Sequence, residues 1–203
     1  MPDAELVRCF IAIELPPEVK SSLAQLQDRL RQGGFSGVRW VDPEGIHLTL
    51  KFLGPVAAHR LPQIKECLAQ AAQGIGPFSL ELAGTGVFPN PSRPRVAWVG
   101  LSGEVEKLAQ LQKDIDLELV PLGFPREARG FTPHLTLARL REGTAPQERQ
   151  RFGRQVVSTS FEAPVPVPVE QISLIRSQLT PGGAIYTHLA SVGLGNILSK
   201  PQD

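Results

Sequence analysis

One tetrapeptide occurs twice in the chain: His-Leu-Thr-Leu at 47–50 and again at 134–137. There are four histidines in all, and two of them head these copies, so chance is a poor explanation. On a strand, successive side chains point to opposite faces. His47 and Thr49 then share one face and Leu48 and Leu50 the other. His134 and Thr136 are set against Leu135 and Leu137 in the same way. The fold must bury a leucine stripe behind each strand and leave an imidazole and a hydroxyl in front of it.

The surroundings of the motif repeat as well. An apolar strand at 10–13 leads to a helix at 17–32 and then to His47. A strand at 96–99 leads to a helix at 104–119 and then to His134. Ile11 and His47 are 36 positions apart, and Ala97 and His134 are 37 apart. The first helix has Pro17 in its opening turn, Val19, Leu23, Leu26 and Leu30 at helical spacing, and Gly33-Gly34 as its stop. Two copies make duplicated lobes, not an array of repeats, which needs three or more. If the lobes pack about a pseudo-two-fold axis, the two polar faces meet in one cleft.

Further elements are marked by pattern and breakers. Strands are expected at 39–41, at 46–53 closed by Gly54-Pro55, at 78–83, at 95–100 and within 131–140. A second helix is expected at 61–73, and a loop rich in Gly, Pro, Asn and Ser at 84–94. The polar stretch 142–153 reads as a loop or short helix. Residues 161–169 alternate valine with proline, which cannot donate to a central ladder, so an edge strand or extended connector is expected. Two closing strands at 171–178 and 186–194 are joined by a turn at Pro181-Gly182-Gly183, and the tail after Asn196 reads as frayed.

The bulk numbers exclude several classes. In 203 residues, 41% are hydrophobic and 20% charged, as in a folded globular chain. With 21 basic and 20 acidic residues the net charge is +1, far from the basic excess of a protein that coats nucleic acid. Contact with nucleic acid would be confined to an end or a few nucleotides. Cys9 and Cys67 are the only cysteines, which excludes a disulfide scaffold and a cysteine-rich zinc site. No apolar run is long enough for a membrane helix, and the N-terminal residues do not read as a signal peptide, so a cytoplasmic location is expected.

A lone strand histidine is more often structural than chemical; the doubling reverses that for His47 and His134. Two imidazoles and two hydroxyls across a cleft suit phosphoryl transfer. In-line displacement needs a base on the attacking oxygen and an acid on the leaving one, and histidine serves as either near neutral pH. Thr49 and Thr136 can donate to the non-bridging phosphate oxygens. Neither a metal nor a cofactor is required. Among other residues, Lys51 shares the face of His47 on strict alternation, and a solvated lysine is the expected reading. Trp40 and Trp98 read as packing residues, His59 as surface and His188 as partly exposed. Tyr186 is not counted in the site.

Paired His-x-Thr motifs in the two halves of such a chain resemble the two-histidine (2H) phosphoesterase superfamily. Arg8-Cys9-Phe10-Ile11-Ala12-Ile13-Glu14-Leu15-Pro16, His47-Leu48-Thr49-Leu50-Lys51-Phe52-Leu53-Gly54 and Thr132-Pro133-His134-Leu135-Thr136-Leu137-Ala138-Arg139 are similar to one branch of it. That branch is the RNA 2′,3′-cyclic phosphodiesterases, first described as 2′-5′ RNA ligases. The resemblance implies one α+β domain over 1–203, made of two pseudo-symmetric lobes. Each lobe is an antiparallel sheet with helices outside, around a central cleft. It implies hydrolysis of a terminal RNA 2′,3′-cyclic phosphate to a 2′-phosphomonoester, and reversible ATP-independent 2′-5′ ligation by the same machinery when a 5′-hydroxyl replaces water. Other readings are a phosphoesterase acting on a small cyclic nucleotide and a non-catalytic module that binds RNA ends.

The residues alone leave the two histidines interchangeable; the resemblance makes His47 the proton donor and His134 the proton acceptor. It also implies a phosphate-contacting Arg139 and a base-stacking Phe52, although Phe52 reads equally well as core. Each lies five residues after its histidine, which strict alternation places on the wrong face. Both roles therefore need the strand to end, bulge or bend. Gly54 and Pro55 offer a breaker near Phe52, whereas Arg139 has none. The partner implied is the 3′ end of an RNA, a few nucleotides long, met by a monomer with no membrane attachment.

Overall fold

A computed structural model describes residues 5–128, 130–161, 165–180 and 183–195. Strand β1 (Leu6–Glu14) turns the core-facing side chains of Val7, Cys9, Ile11 and Ile13 inward. Helix α1 (Pro17–Arg31) follows, with Val19, Leu23, Leu26 and Leu30 buried at the spacing that the sequence predicts. Short strand β2 (Val38–Trp40) and a 3-10 turn lead into β3 (His47–Ala57), the first motif strand. After helix α2 (Leu61–Ala71) come β4 (Phe78–Phe88), β5 (Val96–Gly103), helix α3 (Val105–Glu118) and the second motif strand β6 (His134–Leu140). Helix α4 (Pro146–Val157), β7 (Pro166–Val169), β8 (Gln171–Thr180) and β9 (Gly183–Gly193) complete the described chain.

The strands form two antiparallel sheets, ordered β3-β1-β8-β9 and β2-β6-β5-β4-β7. The duplication is visible in them: β1-α1-β3 and β5-α3-β6 are equivalent, each motif strand pairing with the strand before the helix. The two lobes are pseudo-symmetric α+β units, as expected. They are also interlocked, because β2 comes from the first half yet lies beside β6 in the second sheet. The closing strands β8 and β9 in turn complete the first sheet. One continuous core holds the motif leucines of both strands together with the buried faces of α1 and α3. A separate cluster of Phe10, Ala12 and Ile175 lies on the opposite face of the first sheet.

Several boundaries differ from the sequence reading. β3 runs through Gly54-Pro55 to Ala57, with Gly54 in the left-handed region at φ 72°. β4 continues across the expected loop to Phe88, because Gly86 lies under the ring of Trp98, its partner on β5. A Cβ at Gly86 would meet that ring at 2.2 Å, so glycine here is what lets the tryptophan lie flat. The polar stretch after residue 142 is mostly helix, with Phe152 and Val156 buried. The valine-proline stretch does form an edge strand, β7. Pro181, Gly182 and the tail after Asn196 lie outside the described residues.

Candidate active site

Each motif histidine stands at the first residue of its strand and is fixed in the same way. His47 Nδ1 lies 2.8 Å from the carbonyl oxygen of Gly45, and His134 Nδ1 lies 2.8 Å from that of Thr132. A carbonyl only accepts, so Nδ1 carries the proton in both rings and Nε2 is left for chemistry. Behind the histidines, Leu48 and Leu50, and Leu135 and Leu137, are buried as alternation requires. Thr49 and Thr136 are half-buried on the histidine faces. Some Cα atoms of β3 and β6 lie within 8 Å of each other, which brings the two motif strands together between the sheets.

Alternation then breaks at the same place in both strands. Ile11 pairs with Lys51 but Ala12 pairs with Thr49, so Leu50 is an extra residue, a β-bulge. Ala97 pairs with Ala138 but Trp98 pairs with Thr136, so Leu137 is the equivalent bulge. A bulge inverts the facing of the residues beyond it. Phe52 and Arg139 therefore return to the faces of their histidines, and neither bulge depends on a Gly or Pro breaker. Phe52 is 65% exposed, which overturns its reading as core, and its ring lies 6.0 Å from that of Phe10. The Leu137 bulge is held by a buried side chain from the other half. Gln27 Nε2 donates to the Leu137 oxygen at 2.9 Å and to the Val41 oxygen at 2.8 Å.

The same inversion corrects Lys51. It is not solvated: its Nζ is buried, paired with Asp116 of α3 at 2.5 Å, and donates to the Pro125 carbonyl at 2.8 Å. Asp116 also accepts from the Glu127 backbone N–H at 3.1 Å. The pair ties the first motif strand to the helix and loop that precede His134.

The two imidazoles have different surroundings. His47 stacks on Phe10 at 4.5 Å between centroids and meets the edge of Tyr186 at 5.0 Å. Burial lowers its pKa below the usual histidine value, against the Gly45 hydrogen bond and the charge of Glu14. Glu14 is its cross-strand neighbour on β1, and accepts from Ser173 Oγ at 2.6 Å and from His188 Nδ1 at 3.0 Å. Burial pushes the Glu14 carboxyl up, but those hydrogen bonds outweigh it and hold the group below the usual carboxylate value. Glu14, Lys20, Glu44, His47, Tyr186 and His188 line one pocket. His134 instead meets the edge of Phe88, at 5.1 Å, and Phe88 packs on Trp98. The indole Nε1 of Trp98 is buried without a hydrogen-bond partner among the described residues.

Sequence reasoning missed Phe10, Glu14, Phe88, Tyr186 and His188 as neighbours of the histidines. The register between β1 and β3 was the available signal for Phe10 and Glu14, since each faces a residue of the motif strand. Nothing local marks Tyr186 or His188, which arrive on a strand more than 130 residues beyond His47 in the chain.

Comparison with known proteins agrees with the duplication of the chain. The family model described as LigT like phosphoesterase matches the chain twice, over residues 13–98 and 99–186, one match per motif. The chain is 35% identical to the RNA 2′,3′-cyclic phosphodiesterase of Methanothermobacter thermautotrophicus over 183 residues, 90% of this chain and 96% of that one. Among solved structures it is similar to TT0787 of Thermus thermophilus, with a TM-score of 0.77 and 32% identity over 93% of this chain and 98% of that one. It is also similar to E. coli LigT complexed with 3′-AMP, with a TM-score of 0.75 and 25% identity over 95% of this chain and all (100%) of that one.

Proposed function

The chain belongs to the LigT like phosphoesterase family, and on that premise we propose that it hydrolyses the 2′,3′-cyclic phosphate at the 3′ end of RNA to a 2′-phosphomonoester. The observation that carries the reading is the matched pair of imidazoles. Each is oriented by a carbonyl two residues upstream, which leaves Nε2 for chemistry, and each shares its strand face with a threonine two residues on. The name of the Methanothermobacter relative and the 3′-AMP complex of LigT point to a ribonucleotide end as the substrate.

In this reading the cyclic phosphorus lies between the two Nε2 atoms. His134 Nε2 takes a proton from water as the water oxygen attacks phosphorus. The bond from phosphorus to O3′ breaks, and His47 Nε2 gives its proton to O3′. The phosphate stays on O2′, and the two histidines end with their protonation states exchanged. Thr49 and Thr136 donate to the non-bridging oxygens, where charge develops. Burial lowers the His47 pKa, which makes its imidazolium a stronger acid but a scarcer one, so the donor role rests on the family resemblance. The approaching phosphate anion favours the charged ring and keeps that proton in place until transfer. Phe52, exposed at the mouth, offers a face for the terminal base. A 5′-hydroxyl in place of water would give a 2′-5′ linkage without ATP.

The test is incubation of the protein, in EDTA, with a short RNA ending in a 2′,3′-cyclic phosphate. The expected product gains the mass of one water and resists an enzyme that removes only 3′-phosphates. A 3′-phosphate product, or turnover that returns only when a divalent metal is added, would overturn the mechanism.

A further inference from the structure

The Leu137 bulge sets Arg139 on the cleft face, and a second arginine stands directly opposite it. Strand β2 pairs with β6 so that Arg39 faces Arg139. Directly opposed residues of antiparallel strands share a face, with Cβ atoms about 4.5–5.5 Å apart, and like charges there are destabilising. Both arginines are exposed. Neither guanidinium has an ion pair or hydrogen-bond partner among the described residues. Other arginines are well occupied: Arg149 donates to the carbonyls of Thr144, Pro94, Arg141 and Glu142, and Arg31 pairs with Asp28.

Arg39 also points inward, not off the sheet edge. A Cβ built on Gly183, where β9 begins in the other sheet, would lie 3.5 Å from Arg39 Nη2. The guanidinium thus reaches from the second sheet to the start of β9 in the first. Along β6, Arg139 is five residues from His134, roughly 15 Å of strand at about 3.3 Å per residue. The backbone that carries the arginine pair is thus set off along the strand from the imidazoles, toward the outer strand of the second sheet. An uncompensated pair of forked cations, aimed into the cleft at that remove, is built for a second phosphate.

We propose that Arg39 and Arg139 form an anion subsite for an internucleotide phosphodiester on the 5′ side of the reacting end. The subsite selects an RNA chain over a cyclic mononucleotide, which has no such phosphate. This rests on the RNA-end activity proposed above and adds to it a residue from β2.

The experiment measures binding and turnover separately. Binding of a trinucleotide RNA bearing a 3′-phosphate and a 5′ fluorophore is followed by anisotropy across a salt series, with a nucleoside 3′-monophosphate as competitor. In Arg39→Ala the trinucleotide affinity falls roughly 10- to 100-fold, as expected for lost charge-assisted hydrogen bonds. The slope of log K against log salt falls by about 0.7, one phosphate on a single strand. The ratio of kcat/KM for a cyclic-phosphate trinucleotide to that for a cyclic mononucleotide drops by a similar factor. Arg39→Lys restores the salt slope but only part of the affinity. An unchanged trinucleotide affinity in Arg39→Ala would overturn the subsite, as would an equal loss for trinucleotide and monophosphate. If the wild type turns over no cyclic phosphate yet binds the trinucleotide through Arg39, the hydrolase reading fails and the subsite stands.

Discussion

At the residue scale, the two histidines have the same orientation and different environments. A backbone carbonyl fixes the tautomer of each, so the identical tetrapeptides give identical local geometry. Their difference comes from other strands: Phe10 and Tyr186 enclose His47, and Phe88 stands at the edge of His134. Burial is the main cause of the lowered His47 pKa. Tyr186→Ala opens that ring to water, and its titration, followed by NMR of the imidazole, is expected to move up toward the ordinary value of about 6.5. An unmoved titration would show that Tyr186 does not shield the ring. The same lowering has a stability consequence. The unfolded chain takes up this proton at higher pH than the folded one. The stability contributed by neutral His47 is therefore complete above the ordinary histidine pKa, and is lost as pH falls through it toward the folded value. The faces of His47, Thr49, His134 and Thr136 could be read from alternation alone. The difference between the rings could not, because Tyr186 and Phe88 come from distant strands.

At the scale of the elements, the bulges decide which side chains reach the cleft. The sequence reading required a break after each motif and found a candidate only near Phe52. In the structure both breaks are bulges at a leucine, and no local pattern reveals the partner that holds the second. That partner is Gln27, 110 residues from Leu137 in sequence. Lys51 illustrates the same limit. Strict alternation sends it outward with His47, whereas the bulge turns it inward to Asp116, 65 residues away. Breaking a buried pair leaves an uncompensated charge, so Lys51→Met is expected to cost about 3–5 kcal/mol in urea unfolding. Replacing both partners, Lys51→Met with Asp116→Leu, is expected to recover most of that loss, because apolar substitutes for a buried pair are often neutral. A single variant as stable as the wild type would mean that the pair does not tie β3 to α3. The long β4 is a further case. Its Gly-rich middle reads as loop, and only the Trp98 ring from β5 explains why strand continues there.

For the whole molecule, the duplicated strand-helix-strand was legible from spacing, and with it the two lobes and their cleft. The exchange between lobes was not. β2 crosses into the second sheet and β8 and β9 return to the first, pairings fixed by tertiary contact and not by local preference. The exchange locks the two sheets together, which fixes one histidine relative to the other, and it places Arg39 beside Arg139. The central claim is that two imidazoles on pseudo-equivalent strands act as one acid and one base without help from a metal. The direct measurement is kcat for the wild type, His47→Ala and His134→Ala on a cyclic-phosphate RNA in EDTA, with circular dichroism to verify folding. Each substitution is expected to lower kcat by roughly 10²–10⁴. A folded variant of either histidine that turns over at the wild-type rate would contradict it.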